Sequence, residues 1–169
     1  MKSYLIMTVL GGDRPGLVNS LADTVARHGG NWLESRMARL AGQFAGIVRI
    51  ECPSETVDGL MHELQTPGIA GLTIQAVREA VEAPVKRRTI VVDVVGNDRP
   101  GIVRELASAI ANAGGNVEEL TTGLESAPMS GHPMFRAHGV ISIPENAGTE
   151  TLTQAIESLG GDLTVDVSA

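Results

Sequence analysis

Gly11-Gly12-Asp13-Arg14-Pro15-Gly16-Leu17-Val18 and Gly96-Asn97-Asp98-Arg99-Pro100-Gly101-Ile102-Val103 are two copies of one stretch, 85 residues apart. Each copy is followed by a Gly-Gly-Asn, Gly29-Gly30-Asn31 and Gly114-Gly115-Asn116, with the Asn 15 residues after the last glycine of Asp-Arg-Pro-Gly. From Gly11 to Met37 the first copy aligns without a gap on the second, with 13 of 27 positions identical. The period is that of a small domain rather than of a solenoid repeat, so the chain is a duplicated domain.

Working outward from the motif, Ser3 to Leu10 reads as a strand stopped by Gly11-Gly12. From Pro15 the period changes: Leu17, Val18, Leu21, Ala22, Val25 and Ala26 line one face of a helix ending at Gly29-Gly30. Asn31 to Leu40 and Gln43 to Cys52 read as strands joined at Ala41-Gly42, a hairpin. A second helix carries Val57, Leu60, Met61 and Leu64 between Pro53-Ser54 and Pro67-Gly68, and Leu72 to Val77 reads as the last strand. The second half repeats the order. Arg88 to Val95, Asn116 to Leu124, Met134 to Ile143 and Asp162 to Val167 read as strands, with helices striped by Ile102, Leu106 and Ile110 and by Leu152, Ile156 and Leu159.

The expected fold is α+β: two tandem ferredoxin-like β-α-β-β-α-β domains, residues 1–79 and 88–169, joined by a short linker at 80–87 that contains Pro84. Right-handed crossovers predict an antiparallel sheet of order 4-1-3-2 in each, with both helices on one face. The other face needs burial if it carries apolar residues such as Val92, Val94 and Ile141, which predicts a homodimer. The second hairpin turns through Ser126 to Pro133, with two prolines and a glycine. That segment reads either as a tolerated surface insertion or as a flap over a site between the copies.

Composition narrows the function. The chain has 169 residues, 43% hydrophobic and 20% charged, with a formal net charge of −7. Its only aromatics are Tyr4, Trp32, Phe44 and Phe135, so the cores are aliphatic. An acidic chain without stacking aromatics argues against direct nucleic-acid binding. The one basic run, Lys86-Arg87-Arg88, reads as solvated linker charge. The single Cys52 excludes an internal disulfide framework and a thiolate-rich zinc site, and reads as a buried inert thiol. With no targeting segment and no membrane span in evidence, the expectation is a cytoplasmic protein. No cofactor and no metal are expected.

Asp-Arg-Pro-Gly stands between strand and helix in both halves, and two readings of it stay open. In the first, Asp caps the helix, Pro suits its first turn and Gly serves packing or turn geometry. In the second, Gly16 and Gly101 leave the first helical turn bare, so that its free N–H groups meet a carboxylate while Asp13 or Asp98 takes an ammonium. That pair of features suits an α-amino acid better than a nucleotide, since no Lys or Gly-rich phosphate cradle follows. The intervening helix is about 20 Å long at roughly 1.5 Å per residue, so Asn31 lies at the far end of its domain from Asp13. If two domains pack with antiparallel first helices, the Asp13 loop comes beside Asn116 and the Asp98 loop beside Asn31, giving two pseudo-equivalent sites on the boundary between copies. The same boundary forms equally well between chains. Both Asn residues also have a plain reading, as left-handed helix stops after Gly-Gly.

At these residues the chain resembles the ACT-domain family, small ferredoxin-like regulatory modules. The resemblance rests on Asp-Arg-Pro-Gly, the following Leu-Val or Ile-Val, and Gly-Gly-Asn in both halves. More narrowly it resembles the tandem-ACT group of glycine cleavage system transcriptional repressors, through Glu125 to Gly131 and Phe135-Arg136-Ala137. The resemblance implies an amino-acid-binding regulatory protein. The implied contacts are Gly12, Asp13, Arg14, Pro15, Gly16 and Leu17 with Asn31, and Asn97, Asp98, Arg99, Pro100, Gly101 and Ile102 with Asn116. Gly12 stands where the second copy has Asn97, so the two sites are expected to differ in affinity. Since the acidic surface offers no DNA-binding element, regulation is expected to act through a partner protein.

An enzyme is the first rival, because ferredoxin-like folds also host catalysis. His28, His62, His132 and His138 do not recur at matching positions, and no Ser, Cys or Lys has a recognisable nucleophile setting, so the expectation is no enzyme. The second rival is an interaction module that dimerises without ligand.

Overall fold

A computed structural model of the chain describes residues 1–66, 69, 71–80, 86–127 and 131–168. The elements run β1 (Lys2–Gly12), α1 (Leu17–Arg27), β2 (Asn31–Leu40), β3 (Gln43–Pro53), α2 (Val57–Gln65), β4 (Thr73–Arg78), β5 (Arg87–Asn97), α3 (Ile102–Asn112), β6 (Asn116–Ser126), β7 (Pro133–Pro144), α4 (Thr149–Glu157) and β8 (Thr164–Ser168). They form two compact units, Met1–Glu82 and Ala83–Ala169. Each unit holds one antiparallel sheet, β2-β3-β1-β4 or β6-β7-β5-β8. Traced from the opposite edge, this is the expected 4-1-3-2 order. Pro67-Gly68, residues 81–85 of the expected linker and Pro128 to Ser130 of the second hairpin lie outside the described residues.

Each sheet packs its two helices on one face. In the first unit Leu5, Met7 and Val9 of β1 meet Leu17, Leu21 and Val25 of α1 and Val57, Leu60 and Leu64 of α2. In the second, Ile90, Val92 and Val94 of β5 meet Ile102, Leu106 and Ile110 of α3 and Leu152 and Ile156 of α4. This overturns one expectation. Val92, Val94 and Ile141 lie under the helices, at most 3% exposed, and not on the outer face. Valines flank Asp93 at both i±1 and i±2, so apolarity alone does not choose between the two phases of the strand. The phase that faces α3 buries Val92 and Val94, and Val91, Asp93 and Val95 take the outer face.

The Gly-Gly pair that ends each first helix is a helix stop with both glycines explained. Gly29 N–H donates to Ala26 O and Gly30 N–H to Val25 O, each at 2.9 Å, and Gly114 and Gly115 repeat the pattern onto Ala111 and Ile110. This is the Schellman arrangement, with the left-handed position at Gly29 (φ 69) and Gly114 (φ 75). Asn31 and Asn116 are therefore not the left-handed residues; each opens a strand instead. One residue after Trp32 and Val117 both strands carry a bulge, at Leu33 and Glu118. The first hairpin turns on Ala41 (φ 48) and Gly42 (φ 78), both left-handed as a type I′ turn requires. The second stays paired as far as Ser126 and Pro133, so its loop is shorter than the sequence suggests.

The basic run also proves structural. Arg87 opens β5 and its guanidinium donates to the Ser142 hydroxyl (2.9 Å), the Ser142 carbonyl (2.7 Å) and the Gly114 carbonyl (2.8 Å). Arg88 donates to the Ala147 carbonyl at 2.8 Å. These are fixed guanidinium forks onto backbone, where a solvated charge cluster was expected. Cys52 is 1% exposed, and burial pushes its thiol above the ordinary range, as an inert core cysteine requires.

Candidate functional site

The repeated loop begins where β1 and β5 leave their sheets, and its backbone is tied to the hairpin of the same unit. Asp13 N–H donates to Gly42 O at 2.9 Å, and Asp98 N–H donates to Pro133 O at 3.1 Å. The chain then turns through Gly16 (φ 88) or Gly101 (φ 90), and α1 or α3 begins at the next residue. Among the described residues a Cβ at either glycine would meet nothing within 4 Å, so turn conformation and not packing demands Gly there. Neither helix start has a side-chain cap among the described residues. The expected capping role of Asp is thus absent, because the left-handed glycine, three residues on, is itself the cap position. Val18 and Asn19, like Val103 and Arg104, carry N–H groups with no backbone acceptor among the described residues. These are orphan donors of a helix start, carrying its positive partial charge.

In the second unit this loop forms one side of an open cleft of about 320 Å³. Asp98, Arg99, Gly101 and Ile102, four of the expected contacts, line it together with Val103. The opposite side is Thr122, Gly123 and Leu124 of β6 with Phe135 of β7. Sequence reading missed this second wall, since only the register of the hairpin brings it under the loop. The signal was present in the 85-residue offset, which equates Thr122 and Leu124 with Met37 and Arg39.

The polar groups of the second loop divide into engaged and free. Arg99 is engaged, donating to the Leu159 carbonyl at 3.1 Å and pairing with Glu105 at 2.6 Å. That guanidinium holds the Glu105 carboxyl below the ordinary range. Asn97 N–H donates to Asp162 Oδ2 at 2.9 Å and likewise lowers the Asp162 pKa. Both contacts position the loop. The exposed Asp98 carboxylate has no hydrogen-bond or ion-pair partner among the described residues. In the first unit Gly12, Arg14 and Pro15 are exposed and Leu17 is a core residue, 3% exposed. There Asp13 Oδ2 is paired with Arg39 Nε at 2.6 Å.

Within each unit the Asn stands at the opposite end from the loop. Asn116 pairs Ser142 on β7 and Asn97 pairs Met134. Those partners are eight residues apart, about 26 Å at roughly 3.3 Å per residue. Asn31 and Gly12 pair Glu51 and Gln43 with the same separation. The exposed Asn31 side chain is without a partner among the described residues. Asn116 instead donates to Glu118 Oε1 at 2.8 Å, and the Ser142 hydroxyl donates to the same oxygen at 2.5 Å. The Ser142 and Asn116 hydrogen bonds hold the Glu118 carboxyl below its ordinary range. The β-bulge makes this possible by turning Glu118 toward its neighbours.

Among the described residues no group of three or more His, Cys, Asp or Glu stands where it could hold a metal ion. None of the helices described is long and apolar enough to cross a membrane.

Comparison with known proteins matches the same two segments that the repeat defines. The ACT domain model matches residues 3–75 and again 88–169. The glycine cleavage system transcriptional repressor of Escherichia coli (strain K12) is 25% identical over 163 residues, spanning 95% of this chain and 85% of that protein. A phosphoserine phosphatase of Mycobacterium tuberculosis is 24% identical over 135 residues, 77% of this chain but 33% of the enzyme. Among solved structures, an uncharacterised protein from Galdieria sulphuraria superposes with a TM-score of 0.82 and 26% identity, over 99% of this chain and 98% of that one. Two family matches laid over two β-α-β-β-α-β units carry one conclusion: the chain is a tandem member of the ACT-domain family.

Proposed function

We propose that this chain is an amino-acid-sensing regulatory protein of amino-acid metabolism that works through a protein partner and is not an enzyme. The observation that carries the reading is the cleft at the second loop. It combines a free carboxylate, Asp98, orphan N–H groups at the start of α3, and an apolar wall of Ile102, Val103, Leu124 and Phe135. An α-amino acid supplies the matching ammonium, carboxylate and side chain. The similarity to a transcriptional repressor over nearly the whole chain supports a regulatory role. The net charge of −7 favours a protein partner over direct contact with nucleic acid.

Calorimetry against the twenty amino acids tests the sensor: at least one binds and raises the melting temperature, and no heat with any of them sinks the proposal. Asp98→Ala is expected to weaken that ligand about tenfold or more, and binding unchanged by it would show that the cleft beside Asp98 is not the site.

The chain is also proposed to form a homodimer. The outer sheet face of the first unit carries Tyr4, Leu10, Ile47 and Val77, between 38% and 54% exposed. A second copy is the occupant that gives this patch a self-complementary cover. Sedimentation velocity at micromolar concentration is expected to show a dimer, and a monomer there rejects it.

A further inference from the structure

The two loops are alike in backbone and unlike in what faces them. Arg39 and Leu124 are the same position, each directly opposite the equivalent phenylalanine of the next strand, Phe44 or Phe135. Met37 and Thr122 are likewise equivalent, opposite Gly46 and Ala137. In the first unit Arg39 reaches the loop and pairs with Asp13 at 2.6 Å. Met37 lies over Gly46 so closely that a Cβ there would stand 2.7 Å from Met37 Cγ. The first copy thus brings its own cation to its own acid, and the long side chain of Met37 stands at the position that Thr122 holds in the second. In the second, Leu124 replaces the cation and Thr122 the methionine, and the same place is the open cleft beside Asp98.

We infer that the two repeats are unequal sites, and that the second alone takes a ligand: one small molecule per chain, with an ammonium on Asp98 and an aliphatic side chain against Leu124 and Phe135. The inference rests on the amino-acid reading above and adds stoichiometry and ligand class to it. An exposed ion pair such as Asp13–Arg39 disfavours a competing cation only by a factor of a few, so the inference also assigns a part to the bulk of Met37 where the second copy has Thr122, a residue that lines the cleft.

The test exchanges the facing residues. Isothermal titration with valine, leucine, alanine and glycine, on the full chain, is expected to give one ligand per chain, with the aliphatic amino acids bound more tightly than glycine. Leu124→Arg copies the first repeat's closure at a side chain already 63% exposed, so it leaves the melting temperature in place and weakens binding more than tenfold. The double variant Met37→Thr/Arg39→Leu opens the first loop and raises the stoichiometry from one to two. If that variant unfolds, Arg39→Leu alone is expected to create a second, weaker site. Two ligands per wild-type chain, or Leu124→Arg binding within twofold of wild type, overturns the inequality while leaving the sensor reading intact. No binding of any amino acid overturns both.

Discussion

Replacing Gly115 with alanine is expected to destabilise the second unit by about 3 kcal/mol, a large effect for one methyl group. The added Cβ would stand 2.8 Å from Ile110 Cγ2, 2.9 Å from the Ile110 carbonyl oxygen and 3.2 Å from Ile141 Cγ2. Two of those atoms belong to buried side chains of the core, and the third is a carbonyl that already accepts the Gly115 N–H at 2.9 Å. None can yield without breaking the helix stop or moving β6 away from β7. Gly30 repeats the geometry against Val25, at 2.7 Å from Cγ1 and 2.9 Å from the carbonyl oxygen, so Gly30→Ala should cost a similar amount in the first unit. Gly101→Ala is the instructive comparison. Its Cβ meets nothing, and only the positive φ of 90 opposes it, so roughly 1–2 kcal/mol is expected. Urea denaturation of the three variants checks the order. Equal losses at Gly101 and Gly115 would mean that conformation alone, and not close approach, selects the second glycine of each pair.

This difference among glycines separates what the motif does for the fold from what it leaves for function. Gly-Gly is the helix stop, occupied by its own hydrogen bonds and packing. Asp-Arg-Pro-Gly is a turn whose polar groups are only partly used internally, and its bare glycine keeps side chains away from the start of the helix. Duplication preserved both features, while the strand facing the loop diverged. Arg39 became Leu124, or the reverse, without disturbing the register that holds either one opposite its phenylalanine. The first copy thereby pairs its loop acid, Asp13, with Arg39, while Asp98 of the second is without a partner among the described residues.

Element order and sheet order were legible because they follow from local signals: period 3.6 from Leu17 and Ile102, Gly-Gly stops, and a two-residue turn at Ala41-Gly42. The first wall of the cleft was legible for the same reason, being contiguous in sequence. Its second wall was not. Thr122, Leu124 and Phe135 carry no chemistry that marks them, and they meet the loop only through pairing between β6 and β7. The outer face of β5 was misread because valines on both sides of Asp93 satisfy either phase. Arg87 and Arg88 were misread as solvated charge because charge runs suggest solvent, whereas a guanidinium at a strand end binds carbonyls as readily as water.

Truncating Leu21 to alanine is expected to remove about 2–5 kcal/mol from the first unit, a large share of the roughly 5–15 kcal/mol that holds a small domain. Leu21 is fully buried, midway along α1 between Leu17 and Val25, so the methyl groups removed leave a void bounded by core on every side. The stripe read from the sequence makes Val18, Ala22 and Ala26 its equals, but the structure exposes Val18 and Ala26 and only half-buries Ala22. Val18 is 46% exposed and Ala26 is exposed, while Thr24 is 2% exposed. Thr24 tolerates burial because its hydroxyl donates to the Ser20 carbonyl at 3.0 Å and accepts from Arg27 at 3.1 Å. Its counterpart Ala109 is 7% exposed in the second unit, so the same rotation holds in both copies. Val18→Ala should therefore change stability by no more than about 0.5 kcal/mol, as at an ordinary surface position. Hydrogen exchange at the β1 and β3 amides reports the first unit and distinguishes the two variants. A Val18→Ala loss matching that of Leu21→Ala would put the buried face of α1 where the apolar stripe alone puts it, and would overturn the packing on which the position of the repeated loop depends.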